Sequence, residues 1–173
     1  MASWAEFEAA DGTLAGLVKT SFDAGRHKTM ATIRADGGPR ISGTETQLIA
    51  GDLWLGSMPG ARKVVDLLRD PRIAIHSASP DPDPEDHTDW VGDAKISGRA
   101  VHIGEGPDRQ RYLEGLRDIY PELAGEEDDD PAEAFDLFRI DITEVVAIRI
   151  GEPADHLVLT IWSEDRGSRT VTR

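Results

Sequence analysis

Leu53–Trp54–Leu55–Gly56–Ser57–Met58–Pro59–Gly60–Ala61–Arg62–Lys63 changes structural character within a few residues. A bulky apolar run reads as a strand, Leu53–Ser57, ending in Gly–Ser. A Pro–Gly pair then marks a turn. Beyond it, Val64, Leu67 and Leu68 recur at helical spacing, so Gly60–Asp70 reads as a short helix stopped by Pro71. Its first turn holds two cations, and the helix dipole disfavours each by about 0.3–1 kcal/mol. A phosphate at this corner would offset that cost, because it takes N–H groups at the helix start and pairs with both side chains. Ser57, Met58, Arg62 and Lys63 are therefore the candidate anchor.

Upstream of the corner the pattern is β. Lys28–Arg34 reads as a strand, and Ala35–Asp36–Gly37–Gly38 as a hairpin turn in which glycine accepts positive φ. Pro39–Ile49 reads as the next strand. Ala50–Gly51–Asp52 turns the chain into Leu53–Ser57, so three strands make an antiparallel meander. Before them, Ser3–Ala24 reads as an amphipathic helix. Ser3 and Glu6 form a capping box, Phe7, Leu14, Leu17, Val18 and Phe22 share a face, and Gly25 ends it. Gly12 and Gly16 leave open a division into two short helices.

Downstream, Arg72–Ser77 alternates as a strand with Ile73 and Ile75 on one face. Pro80–Asp89 and Glu126–Glu133 are acidic stretches too polar to pack a core. Asp93–Gly104, Leu137–Ile150 and His156–Ser163 are strands. Pro107 opens a helix at its N1 position and the helix runs to Tyr120. Asp165–Arg173 reads as a polar tail. Six or seven strands in hairpin order, with helices at the start and in the connections, predict an α+β fold whose antiparallel sheet closes into a barrel. One domain over 1–173 is expected, with a helical segment at 1–25 and a barrel core at 27–163.

The formal charge is −14. That field repels nucleic-acid backbones and anionic lipid, so neither is an expected partner. An anionic ligand needs a local basic pocket, and Arg26, His27, Lys28, Arg40, Arg62 and Lys63 gather near the first strands and the corner. The chain lacks cysteine, which fits a reducing, cytoplasmic location. No signal peptide or membrane-length apolar run is visible. The apolar share, 39%, is modest for the length, and a dimer interface would bury more.

The corner stretch, followed by Asp66–Leu67 and Asp70–Pro71–Arg72, resembles the pyridoxamine 5′-phosphate oxidase-like family of flavin- and deazaflavin-binding split barrels. Ala31–Thr32–Ile33, Asp36–Gly37, Pro39 and Ser42 resemble its first hairpin, and Gly98–Arg99–Ala100 a later strand. The resemblance covers about 27–150. It implies a homodimer with FMN, or the deazaflavin F420, at the subunit interface. Arg62 and Lys63 would hold the cofactor phosphate beside Ser57, and Ser42 and Thr44 would lie along the flavin. Ala61 stands where the family's oxidase often has serine, and neither Trp162 nor Arg173 matches its C-terminal substrate motif. Vitamin B6 oxidation is therefore not implied.

The first expectation implied by the resemblance is an FMN-dependent oxidoreductase acting on a small organic substrate by hydride transfer. The alternatives are an F420-dependent reductase and a non-catalytic flavin- or haem-binding module. An oligoglutamate tail on F420 sits poorly with a charge of −14, which favours FMN. The five histidines, 27, 76, 87, 102 and 156, show neither an i,i+4 pair nor HExxH, so no metal site is expected. Asp86–His87–Thr88–Asp89 reads as a solvated loop. The chain has no nucleophile elbow, P-loop or dinucleotide fingerprint. A bound flavin carries the redox chemistry, so no catalytic residue is assigned.

Overall fold

The structure, a computed structural model, describes residues 1–82, 90–121 and 135–173. Residues 83–89 and 122–134 lie outside it, and with them most of the first acidic stretch, His87 and all of the second. The described elements are helices α1 (Trp4–Ala10), α2 (Gly12–Asp23), α3 (Arg62–Arg69) and α4 (Pro107–Ile119). The strands are β1 (Lys28–Ile33), β2 (Pro39–Thr44), β3 (Gln47–Ile49), β4 (Asp52–Ser57), β5 (Arg72–His76), β6 (Asp93–Ile103), β7 (Asp136–Ile150), β8 (Leu157–Ser163) and β9 (Gly167–Thr172).

The N-terminal segment forms two helices, and Asp11 divides them. It ends α1 and caps α2, its Oδ1 accepting from the Leu14 N–H at 2.9 Å. The Ser3–Glu6 capping box is present in both directions. Phe7 is buried between Trp4 and Trp162, 5.3 and 5.0 Å between ring centroids.

All strand pairs are antiparallel, in the order β2-β1-β5-β6-β7-β4-β3. Pro39–Ile49 is therefore not one strand. It breaks at Glu45–Thr46, and its halves stand at opposite ends of that order, β2 on β1 and β3 on β4. The expected three-strand meander is instead two separate hairpins. The physical reason is closure. A sheet that curls on itself brings its two edges together, and one short link steps between them without a ladder. This gap is the split in the barrel. Ala50 and Gly51, at φ 50° and 80°, form the tight β3–β4 turn.

Two further expectations change. Asp165–Arg173 is not a polar tail: Gly167–Thr172 is β9, paired along β8 from Ser163↔Gly167 to Val158↔Thr172. Its polar, largely exposed residues gave no alternating apolar signal, because an edge strand has little to bury. Among the described residues the sheet accordingly has nine strands, where six or seven were expected. The fifteen-residue β7 spans both regions: its first half pairs with β4 and its second with β8. Its register against β6 shifts at Ser97/Gly98, where Thr143 has no opposite residue. That bulge bends the long pair into the barrel wall.

The main core fills the barrel with Met30, Leu53, Leu55, Ile75, Ile96, Phe138 and Ile140, under Phe7, Leu14 and Val18. A second cluster, Ile49, Trp54, Tyr112, Leu113 and Leu137, lies beneath α4. Strand β4 is thus buried on both faces, which is why Leu53–Trp54–Leu55 is continuously apolar instead of alternating.

Candidate functional site

The cleft forms where the split, the end of β4 and the start of α3 meet. Its volume is about 400 Å³, within the range of ligand pockets. Gly43, Thr44 and Glu45 line it from the end of β2, Gln47 from β3, Ser57 and Met58 from the end of β4, and Lys63 from α3. Helix α3 is held by its polar residues. The Asp66 carboxylate accepts from Arg40 Nε at 2.6 Å and Thr32 Oγ1 at 2.8 Å. Arg69 donates to the Ile33 carbonyl. Val64 and Leu67 pack into the core on the same side. This fixes the helix's rotation, and Lys63 lies across the cleft, donating to the Gly43 carbonyl at 2.8 Å.

The structure brings together four of the six candidate residues: Thr44, Ser57, Met58 and Lys63 all line the cleft. Arg62 and Ser42 do not. Arg62 is exposed on the neighbouring face of α3 and makes no hydrogen bond or ion pair among the described residues. Ser42 sits half-buried on β2 opposite Met30, short of the cleft. Among the other cations of the expected basic pocket, Arg40 is committed to Asp66. Buried Lys28 donates to the Arg26 carbonyl at 3.1 Å, and Arg26 pairs with Glu45.

The electrostatics follow from burial. Partial burial pushes the Lys63 ammonium below its ordinary value, so a nearby anion would favour its charged form. Hydrogen bonding to Arg40 holds the Asp66 carboxyl below the usual carboxylate range. Burial pushes the Tyr112 phenol up to about 12, so it is neutral at pH 7. Ser57 is only 7% exposed, and its Oγ has no hydrogen-bond partner among the described residues. Ala61, at the N-cap of α3, supplies no side-chain cap.

His27, Gly43, Glu45, Gln47 and Tyr112 also line the cleft without having been assigned to it from the sequence. Glu45 and Gln47 were hidden inside an apparent single strand. Tyr112 reads as an ordinary apolar position of α4. Among the described residues, no group of three or more His, Asp or Glu is arranged to hold a metal.

A curled antiparallel sheet, open along one seam and bearing a cleft there, defines a split β-barrel. Residues 20–149 match the model of the pyridoxamine 5′-phosphate oxidase family, well over half the chain, and the chain belongs to that family. The fold is similar to a Listeria innocua protein provisionally assigned as a pyridoxamine 5′-phosphate oxidase. The two are 15% identical, with 81% of this chain and 98% of that one covered and a TM-score of 0.56. It is also similar to a heme binding protein from Mycobacterium smegmatis (16% identity, 90% and 86% covered, TM-score 0.53). An F420 reductase is a third (18% identity, 74% and 94% covered, TM-score 0.51). None of the curated proteins matches the sequence.

Proposed function

We propose that the chain is an FMN-dependent oxidoreductase that holds the cofactor in the split of the barrel and acts on a small organic substrate by hydride transfer. The Ser57 hydroxyl carries this reading. It is buried in the cleft without a partner among the described residues, and such a group costs about 1–3 kcal/mol unless a ligand satisfies it. Lys63 and the uncapped start of α3 adjoin it, so hydroxyl, ammonium and N–H donors together fit a phosphate. Bound FMN would supply the hydride chemistry.

The chain's own part is binding, orientation and exclusion of water. Lys63, already seated on the Gly43 carbonyl, is presented with little ordering cost. Thr44 stands beside it at the end of β2, and the exposed Met58 lines the cleft just beyond β4. Arg62, one residue from Lys63 but outside the cleft, adds long-range attraction at most. The charge of −14 favours FMN over a cofactor with an oligoglutamate tail.

The same reading makes the protein a cytoplasmic homodimer, each chain one domain over 1–173. The two sides of the β7–β8 ladder support this. Val145, Ala147 and Trp162 are buried inward. The outward row pairs Val146 with Ile161 and Ile148 with Leu159, and these are only half-buried. Strands apolar on both faces are expected where both faces become covered. Among the described residues, no helix is long and apolar enough to cross a membrane.

The test is the visible spectrum of freshly purified protein, with mass spectrometry of whatever denaturation releases and an FMN titration of the stripped chain. FMN is expected in both. Release of a deazaflavin or haem, or no FMN binding, overturns the assignment. Light scattering is expected to give twice the mass of one chain.

A further inference from the structure

The cleft continues into a second compartment of about 400 Å³, which shares Glu45, Gln47 and Tyr112 with the first. Its wall is aromatic: Tyr112, Tyr120 and Phe135 all face it. The Tyr112 and Phe135 rings meet edge-on at 6.1 Å, and Tyr112 is braced behind by Trp54 at 5.3 Å. Such a wall is rigid and favours a flat ligand.

The charges here already answer one another. Arg26 Nε lies 2.9 Å from Glu45 Oε2, and His27 Nδ1 lies 3.6 Å from the same carboxylate. An incoming anion would have to compete with Glu45 for Arg26. Gln47 lines both compartments, and among the described residues its buried Oε1 accepts no hydrogen bond. The backbone of Gln47 is fixed opposite Trp54 on the β3–β4 ladder. An unpaired buried acceptor is costly, and an apolar side chain of similar shape would avoid that cost.

We propose that this compartment receives a planar, uncharged molecule bearing an N–H or O–H on its edge, stacked against the tyrosines and donating to Gln47 Oε1. Calling the occupant a substrate rests on the flavin reading of the adjoining compartment; the chemical class does not. A site built to take a donor discriminates strongly against an analogue lacking it, because the buried acceptor is then left unpaired.

Three probes test this by isothermal titration on the full-length protein, with and without saturating FMN. Benzamide is flat, neutral and carries N–H; methyl benzoate is flat and neutral but has no donor; benzoate is an anion. Benzamide is expected to bind about tenfold tighter than either of the others. Gln47→Leu is expected to erase the preference for benzamide over methyl benzoate while melting no lower than the wild type. Tyr120→Ala is expected to weaken benzamide and methyl benzoate alike. Benzamide binding no tighter than methyl benzoate, or a preference that survives Gln47→Leu, overturns the proposal. Loss of FMN binding with the benzamide preference intact refutes the flavin reading and leaves this one standing.

Discussion

Replacing Asp66 tests what holds the cleft's helix in place. Its Oδ2 accepts two hydrogen bonds, from Arg40 Nε at 2.6 Å and Thr32 Oγ1 at 2.8 Å. Asp66 is 4% exposed, and the Arg40 side chain 26%. Both bonds end on the ionised carboxylate, and a hydrogen bond to a charged group contributes about 1.5–3 kcal/mol. Water reaches part of Arg40, so the lower half of that range applies. Asp66→Ala should then cost about 3–4 kcal/mol, or roughly 6–16 °C of melting temperature for a chain of this size. Asp66→Asn keeps an acceptor for Thr32 and should cost less.

The pH dependence has a definite sign. The folded carboxyl lies below its unfolded value, chiefly through Arg40. Its contribution is therefore complete above the unfolded value, about 3.9, and is lost as pH falls through the folded one. Urea unfolding of wild type and Asp66→Asn should show a constant gap from pH 7 down to about 4, narrowing below. The midpoint should move with the slope unchanged. A loss under about 0.5 kcal/mol for Asp66→Ala, within the range of ordinary surface substitutions, refutes the reasoning. So does a gap that widens on acidification.

Ser57→Ala should leave the ligand-free protein as stable or more stable, since it removes an unpaired buried hydroxyl. It should weaken FMN by about 1 kcal/mol in a titration, so the two effects have opposite signs. Lys63→Ala should weaken FMN by about 1.5–3 kcal/mol. Arg62→Ala, tested the same way, should cost well under half of that, because Arg62 lies outside the cleft. Gly98→Ala should destabilise by more than about 2 kcal/mol in urea unfolding, because a Cβ there would lie 2.3 Å from the Asp141 carbonyl oxygen. An unchanged midpoint would mean that the bulge yields easily.

Local chemistry made much of the molecule readable. The capping box at Ser3, the turn at Asp36–Gly37, Pro107 at a helix start and the corner at Ser57–Lys63 are short-range signals, and each lies where it was read. The errors all involve partners distant in sequence. In Pro39–Ile49 the one glycine, Gly43, is paired within β2 opposite Thr29, yet the stretch divides beyond it because curling brings the two sheet edges together. Gly167–Thr172 is a strand only because β8 supplies a ladder for it. Tyr112 reaches the cleft only because α4 packs on β3 and β4, and Gln47 only because β3 leaves β2 to pair with β4.

The chain by itself determined an antiparallel α+β protein with a cationic strand-to-helix corner, since periodicity, turn residues and charge act over a few neighbours. Which cation faces the cleft was decided only by the tertiary structure. Adjacent residues on a helix point about 100° apart, and α3 is rotated by Asp66 against Arg40 and Thr32, its partners on a different hairpin. That rotation puts Lys63 into the cleft and Arg62 outside it.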